Sequence, residues 1–143
     1  MPVKQLSVSL PNVPGRLSDV STLLGEEGIN IVAISVVDAS DFSVVRMVVN
    51  DPVKAQNVLE SKGYKVKVAD VLAAETPNHP GGLNAILRPL KEAGINVDYL
   101  YPCLGTGDKT VLIIGVEKQL DQALQVLKAN WVELLGDQIY SLN

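Results

Sequence analysis

The sequence predicts an α+β protein made of two copies of one module, each with an antiparallel sheet and two helices on one face of it. Three observations support this prediction. The chain repeats itself at an offset of 66 residues, its segments alternate between strand-like and helix-like hydrophobic periods, and its length of 143 residues fits two small domains. We therefore place one domain at 1–69 and a second at 70–143.

The repeat is clearest where residues 11–31 align with residues 77–97. Without a gap, 10 of these 21 positions are identical, namely 11, 12, 14, 15, 17, 24, 26, 28, 29 and 30 of the first copy. Unrelated segments agree at only about 6% of positions, given ordinary residue usage. A repeat at a fixed offset is the signature of a duplicated structural unit, so the chain holds two copies of one module.

The first module opens with a strand and a helix. Apolar and polar residues alternate over 3–10, which predicts a half-buried strand. Pro14 suits the first turn of a helix, where its missing N–H is not needed, and Gly28 suits the position just past the helix end. We therefore predict a helix that begins at Pro14 and ends before Gly28.

The remaining elements of the first module follow from the same criteria. Apolar, β-branched segments predict strands at 31–37 and 43–49, which form a hairpin. Asp51 and Pro52 are typical of a helix cap and a first helical residue. Residues 64–68 then predict the last strand of the module.

The second module repeats this order of elements. In chain order we predict a strand at 71–76, a helix at 80–93, strands at 96–103 and 109–116, a helix at 120–127 and a strand near Ile139. The order strand, helix, strand, strand, helix, strand (βαββαβ) is that of the ferredoxin-like fold, in which both helices cover one face of a four-stranded antiparallel sheet.

Composition and charge exclude several classes of function. The net charge of −4 and the absence of a basic stripe argue against nucleic-acid binding, which depends on contacts to phosphates. One cysteine and one histidine exclude an internal disulfide and a multi-cysteine zinc site, so we expect no metal and no cofactor. No apolar run approaches the ~20 residues of a membrane helix and no signal region is evident, which predicts a cytoplasmic protein without a membrane partner.

The repeated residues resemble a known family. Asn-x-Pro-Gly-x-Leu at 12–17 and Gly-Ile-Asn-Ile at 28–31 are similar to the ACT domain, a regulatory amino-acid-binding module of this fold, and the resemblance covers nearly the whole chain. Two such modules alone are similar to the stand-alone tandem ACT proteins of bacteria. The resemblance implies a non-enzymatic, allosteric sensor that binds a free amino acid at domain interfaces and signals to a regulated enzyme or regulator. We also expect a homodimer, because each module leaves a sheet face and edge strands uncovered.

The resemblance also implies where the amino acid binds, which is beside the turn between the first strand and the first helix. Family members often contact it through one asparagine in that turn and one after the helix. Here these are Asn12 and Asn30 in the first module, and Asn78 and Asn96 in the second. Serine-binding members carry a histidine two residues before the turn asparagine, where this chain has Leu10 and Thr76, so the identity of the amino acid is left open.

The chemistry of this turn suits a zwitterion. Backbone N–H groups at a helix N-terminus have no partner within the helix, and with the helix dipole they attract a carboxylate. These groups belong to Gly15, Arg16 and Leu17 in the first module, and to Gly81, Gly82 and Leu83 in the second. Asparagine amides add donors and acceptors without net charge. The alternative is that each asparagine only braces its own turn.

Two other functions stay open at this point. One is an interaction or adaptor module that has lost its ligand. The other is a small acylphosphatase-like enzyme, whose chemistry needs an arginine after the first strand to hold phosphate. Arg16 is near that position, but Gly82 replaces it in the second copy. Cys103 and His79 fall in separate elements without a third residue to orient them, so we predict no enzyme.

Overall fold

The computed structural model describes residues 2–141, which form two compact units. Residues 4–69 make the first unit, and residues 70–141 together with residues 2 and 3 make the second. Each unit has its own helices and its own hydrophobic core. The predicted α+β fold of two βαββαβ-like modules is confirmed.

The first unit follows the predicted order of elements. They are β1 (Val3–Pro11), α1 (Arg16–Glu26), β2 (Ile31–Ala39), β3 (Phe42–Val49), α2 (Pro52–Ser61) and the start of β4 (Val66–Thr76). Both β1 and β2 pair with β3 in antiparallel register, so β3 lies between them. This places the end of β1 beside the hairpin that joins β2 to β3, because Pro11 pairs with Phe42.

The glycines and prolines set the ends of the two helices. α1 begins two residues later than predicted, because Gly15 caps it with a left-handed φ of 89° and Pro14 stays in the preceding turn. Gly28, with a φ of 71°, lies just past the end of α1 as predicted. α2 begins at Pro52, and the Asp51 side chain accepts a hydrogen bond from the N–H of Lys54 at 3.1 Å.

An aliphatic core holds the first unit together. Its buried members come from the inward faces of β1, β3, α1 and α2, and from the approach to β2: Leu6, Val8, Leu10, Val45, Met47, Val49, Val20, Leu24, Ala55, Leu59 and Ile29. Strand and helix side chains belong to one cluster, so both helices cover the same face of the sheet. Leu10 and Val20 are almost completely buried on either side of the β1–α1 turn, which fixes the position of that turn.

The second unit has the same architecture with a different ending. It contains the rest of β4, followed by α3 (Asn84–Glu92), β5 (Tyr99–Pro102), β6 (Thr110–Gly115), α4 (Leu120–Ala129), β7 (Leu134–Leu135) and a 3-10 helix at Asp137–Ser141. β6 lies between β4 and β5, and β7 also pairs with β4. A separate aliphatic core includes Leu72, Ile86, Leu90, Ile114 and Leu127.

The strands predicted at 64–68 and 71–76 are one element in the structure, β4. No glycine or proline interrupts residues 64–76, so nothing in the backbone requires a break between them. The division between the two units falls within β4, after Ala69.

Three predictions for the second module are wrong in detail. The strand predicted at 96–103 begins only at Tyr99. The helix predicted at 80–93 begins only at Asn84, because residues 80–83 form a turn. The strand predicted near Ile139 is instead a 3-10 helix, and the short strand β7 precedes it. Ile139 is fully buried, so its apolar character reports burial rather than strand structure.

Candidate functional site

A cleft of about 170 Å³ opens where β1 leads into α1. Its lining residues come from the β1–α1 turn and from the neighbouring parts of α1, β2 and β3: Leu10, Pro11, Asn12, Val13, Arg16, Leu17, Val36, Ser43 and Val45. We term it the turn cleft. It brings together three of the residues that the sequence predicts for the site, Asn12, Arg16 and Leu17.

The first turn of α1 presents backbone donors beside the turn cleft. The N–H of Asp19 donates to the carbonyl of Gly15 at 2.9 Å, which is the first hydrogen bond of the helix. The N–H groups of Arg16 and Leu17 precede that bond, and no side chain caps them. A helix N-terminus with free donors attracts an anion such as a carboxylate. Gly15 is not a lining residue; its left-handed backbone turns the chain into the helix.

Arg16 is the one charged residue among those that line the turn cleft. It is exposed, and within residues 2–141 no ion pair engages its guanidinium. Three apolar side chains face the same cleft: Val13, Leu17 and Val36 are 50%, 42% and 47% exposed. The turn cleft therefore combines a cation and free N–H donors with an apolar wall, as a ligand with a carboxylate and an apolar part requires.

Asn12 braces its surroundings as well as lining the turn cleft. Its Nδ2 donates to Oδ1 of Asp38 and to the carbonyl of Ser40, both at 3.2 Å. Its backbone N–H donates to the carbonyl of Asp41 at 2.9 Å. These bonds hold the β1–α1 turn against the β2–β3 hairpin. The amide oxygen, Oδ1, is the acceptor that Asn12 can still offer to a ligand.

Asn30 is not part of the turn cleft. Its backbone N–H donates to Oδ1 of Asn50 at 2.9 Å, and the N–H of Asn50 donates to the carbonyl of Asn30 at 3.0 Å. This reciprocal pair joins the approach to β2 to the end of β3. The structure therefore does not bring the two predicted asparagines of the first module together.

The turn of the second module is closed by its own hydrogen bonds. Gly82, which occupies the position of Arg16, is buried, and its N–H donates to the carbonyl of His79 at 2.8 Å. The hydroxyl of Thr76, which is also buried, donates to the carbonyl of Gly82 at 3.3 Å. No cation stands where the first module has Arg16.

The N-terminus of α3 also differs from that of α1. The N–H of Asn84 donates to the carbonyl of Gly81 at 3.1 Å, and the N–H of Ala85 donates to that of Gly82 at 3.0 Å. The prediction that Gly81, Gly82 and Leu83 all present unpaired N–H groups is therefore wrong at Gly82. The first turn of α3 satisfies its own donors with tight backbone bonds, so less is left for an anion.

The two asparagines of the second module also lie apart. Asn78 is exposed in the turn after β4. Nδ2 of Asn96 donates to Oδ1 of Asp98 at 3.0 Å, and Oδ2 of Asp98 accepts from the N–H of Glu117 at 2.8 Å. Asn96 thus supports the loop before β5 and the loop after β6. The repeat gives no sign of the bond between Asp98 and Glu117, because these residues are 19 positions apart in the chain.

Cys103 follows β5 and is half-buried, with its N–H donating to the carbonyl of Val111 at 2.9 Å. Burial raises the pKa of the Cys103 thiol from its ordinary 9.0 to about 11. The thiol is therefore protonated at neutral pH and a poor nucleophile.

This raised pKa predicts a difference between the protein and a Cys103→Ser variant at alkaline pH. Because the folded-state pKa is raised, stability from the protonated thiol is complete below pH 9 and declines as the pH rises to about 11. The melting temperature of the parent protein should fall more steeply than that of the variant over this interval. Parallel slopes in melting curves at pH 8 to 11 would contradict the burial of this thiol.

The described part of the chain contains no cluster of side chains suited to binding a metal ion. Among residues 2–141, no three or more His, Cys, Asp and Glu side chains are arranged to hold a metal ion. None of the helices described has the length and apolar character needed to cross a membrane.

Comparisons with known proteins identify the family of this chain. The family model for a pair of ACT domains matches residues 1–141. The crystal structure of protein BT0572 from Bacteroides thetaiotaomicron is 34% identical, has a TM-score of 0.91, and the match covers 99% of this chain and 98% of that one. No curated protein matches the chain.

More distant structures share the fold. The ligand-free regulatory subunit of aspartate kinase from Thermus thermophilus is 18% identical with a TM-score of 0.66, over 90% of this chain and 92% of that one. The corresponding subunit from Thermus flavus is 18% identical with a TM-score of 0.62, over the same shares. The resemblance that the sequence predicts is confirmed, and the chain belongs to the ACT domain family as a pair of ACT domains.

Proposed function

We propose that this ACT domain pair is a non-enzymatic, cytoplasmic regulator that binds one free amino acid in the turn cleft of its first domain. The observation that carries this proposal is the meeting of Arg16, two free helix N–H groups and an apolar wall around one small cleft. The similarity to regulatory subunits of aspartate kinase is a likeness of fold only, yet it agrees with a regulatory role.

The groups around the turn cleft match those of an amino acid. The carboxylate would lie against the N–H groups of Arg16 and Leu17 and against the guanidinium, where helix dipole and charge act together. The ammonium would donate to Oδ1 of Asn12. A cleft of about 170 Å³ is smaller than the roughly 300–1,000 Å³ of typical ligand pockets, which favours a small amino acid.

Signalling would follow from the exposure of the apolar wall. Val13 and Val36 stay about half exposed, so the cleft alone does not enclose a ligand. We propose a homodimer in which ligand and subunit association favour each other, so that binding shifts the assembly that a regulated enzyme or regulator detects.

A thermal-shift screen of the purified protein against the free amino acids tests this function. A ligand at about 100 times its dissociation constant stabilises the native state by roughly 2.7 kcal/mol, which raises the melting temperature by several degrees. We expect a small subset of amino acids to produce such a shift. If none does at millimolar concentration, the sensor function is wrong and an adaptor without a ligand is favoured. Phosphatase activity on acyl phosphates would instead favour the enzyme alternative.

The two turn asparagines should differ in a binding experiment. Asn12→Ala removes the acceptor for the ammonium, a charge-assisted bond of about 1.5–3 kcal/mol, so affinity should fall roughly 10- to 150-fold. Asn78→Ala should leave affinity unchanged, because the second turn is closed. Asp38→Ala is the control, since it breaks the same contact to the hairpin without touching the cleft. Equal losses for Asn12→Ala and Asp38→Ala would show that Asn12 only braces its turn.

A further inference from the structure

Each domain has a larger cleft, which in the first domain adjoins the turn cleft and shares Pro11 and Arg16 with it. In the first domain it measures about 540 Å³ and is lined by Ser9, Pro11, Arg16, Phe42, Lys62, Gly63, Tyr64 and Lys65. In the second domain it measures about 560 Å³ and is lined by Glu75, Thr76, Pro77, Ala85, Lys109, Asn130, Trp131, Val132 and Glu133. We term them the basic cleft and the tryptophan cleft.

The two clefts are built on the same backbone. The N–H of Gly63 donates to the carbonyl of Glu60 at 3.0 Å, and the N–H of Trp131 donates to that of Lys128 at 3.2 Å. Both residues are left-handed, with φ of 88° and 64°. Trp131 therefore occupies, after α4, the place that Gly63 holds after α2.

A tryptophan at this position is unfavourable for the isolated chain. A bulky residue with positive φ is strained, whereas glycine is not. The side chain of Trp131 is also 95% exposed, so it contributes no burial to the core. Neither the backbone nor the packing of its own domain accounts for this residue. Tryptophan is the side chain most typical of binding hot spots, so the position indicates a partner.

The charges around the two clefts are complementary. The basic cleft is lined by three cations, Arg16, Lys62 and Lys65, and by no carboxylate. The tryptophan cleft is lined by two carboxylates, Glu75 and Glu133, and one cation, Lys109. Lys109 lies 3.9 Å from Glu75, which leaves Glu133, at the position equivalent to Lys65, as the carboxylate for a partner. The two domains have thus kept a cleft of similar volume at the same place, with the charge reversed at this position.

We propose that Trp131 of one copy of the chain inserts into the basic cleft of a second copy. There the indole would pack on Phe42, which is 51% exposed, and against a lysine in a cation–π contact. Glu133 would pair with Lys65, and in a two-fold dimer the contact forms twice. This surface rests on the proposed function only for the homodimer, and it does not require that the turn cleft bind an amino acid.

Trp131→Gly is a matched test, because it installs the residue that the first domain carries at the same backbone position. It removes the strain and the anchor together. At concentrations low enough for both proteins to be monomeric, we expect the melting temperature to stay the same or rise, because the strain is gone. The dissociation constant of the dimer should increase at least about 30-fold in sedimentation velocity. Unchanged association of this variant would overturn the proposed surface.

Charge reversal identifies the partner of Trp131. Lys65→Glu and Glu133→Lys should each weaken association, and the double variant should restore it in part, because the pair is re-formed with opposite orientation. Weakening without restoration would overturn the pairing of the two clefts. A wild-type protein that is monomeric at micromolar concentration would overturn the proposed homodimer itself, whereas a wild-type dimer that persists in Trp131→Gly would overturn only this surface.

Discussion

Gly82→Ala should lower the melting temperature by roughly 10 °C. A Cβ at this position would lie 2.2 Å from the carbonyl oxygen of Pro77 and 3.0 Å from that of His79. Both contacts are backbone atoms of the same closed turn, so the turn has to open. A clash of this kind costs about 3 kcal/mol, and for a chain of this size that is roughly 10 °C.

Gly25→Ala is the matched control for that experiment. Gly25 lies within α1, and a Cβ there meets no atom within 4 Å. Alanine is favoured over glycine in a helix by about 0.5–1 kcal/mol, so this variant should melt slightly higher than the parent protein. A Gly82→Ala variant that melts like the parent would mean that the turn of the second domain is not closed.

Arg16→Met should weaken amino-acid binding roughly 10- to 150-fold in calorimetric titration, while the melting temperature of the free protein changes little. The substitution keeps the aliphatic stem and removes the cation, so the ligand carboxylate loses one charge-assisted partner of about 1.5–3 kcal/mol. Arg16 is exposed, and no ion pair within residues 2–141 depends on it, which is why folding should tolerate the change.

Arg88→Met is the control for net charge. Arg88 lies on the exposed surface of α3, where it approaches Glu92 at 3.9 Å. Arg88→Met changes the net charge of the protein by the same amount as Arg16→Met but leaves the turn cleft intact. The affinity for the amino acid should therefore be unchanged. If both variants bind alike, the carboxylate is held by the helix N-terminus alone or lies elsewhere.

The features that the sequence predicts best are those decided locally. Gly15 and Gly81 both have positive φ, and so do Gly28 and Gly94, as a repeat of turns and helix ends requires. Asp51 and Pro52 begin α2 for the same kind of local reason. The backbone conformation at such positions can be predicted from the residue itself and its neighbours in the chain, because it is decided by local sterics and hydrogen bonds.

The features that the sequence does not predict depend on contacts between distant segments. The bonds from Asn12 to Asp38 and Ser40 join residues that are 26 and 28 positions apart. The closure of the second turn depends on the hydroxyl of Thr76 and the buried backbone of Gly82, although the asparagine, proline and glycine of the turn match the first copy. Identical motifs therefore have different hydrogen bonds.

The difference between the two larger clefts is visible in the sequence when the alignment of the repeat is extended to the end of each module. Residues 62–65 correspond to residues 130–133 at an offset of 68, after a shift of two residues from the first half of the module. In that alignment Gly63 corresponds to Trp131, and Lys65 corresponds to Glu133. A glycine replaced by tryptophan and a cation replaced by an anion mark the place where the two domains have diverged.

Under the proposed function, the closed turn of the second domain would also limit how steeply the protein responds to an amino acid. If four equivalent turns were open in a homodimer, binding could be cooperative among four sites. With only the first domain of each chain available, there are two sites, and the Hill coefficient cannot exceed the number of sites. The dose–response curve would therefore be gradual, so that the regulated process would follow the amino-acid concentration over a wide range instead of switching at a threshold.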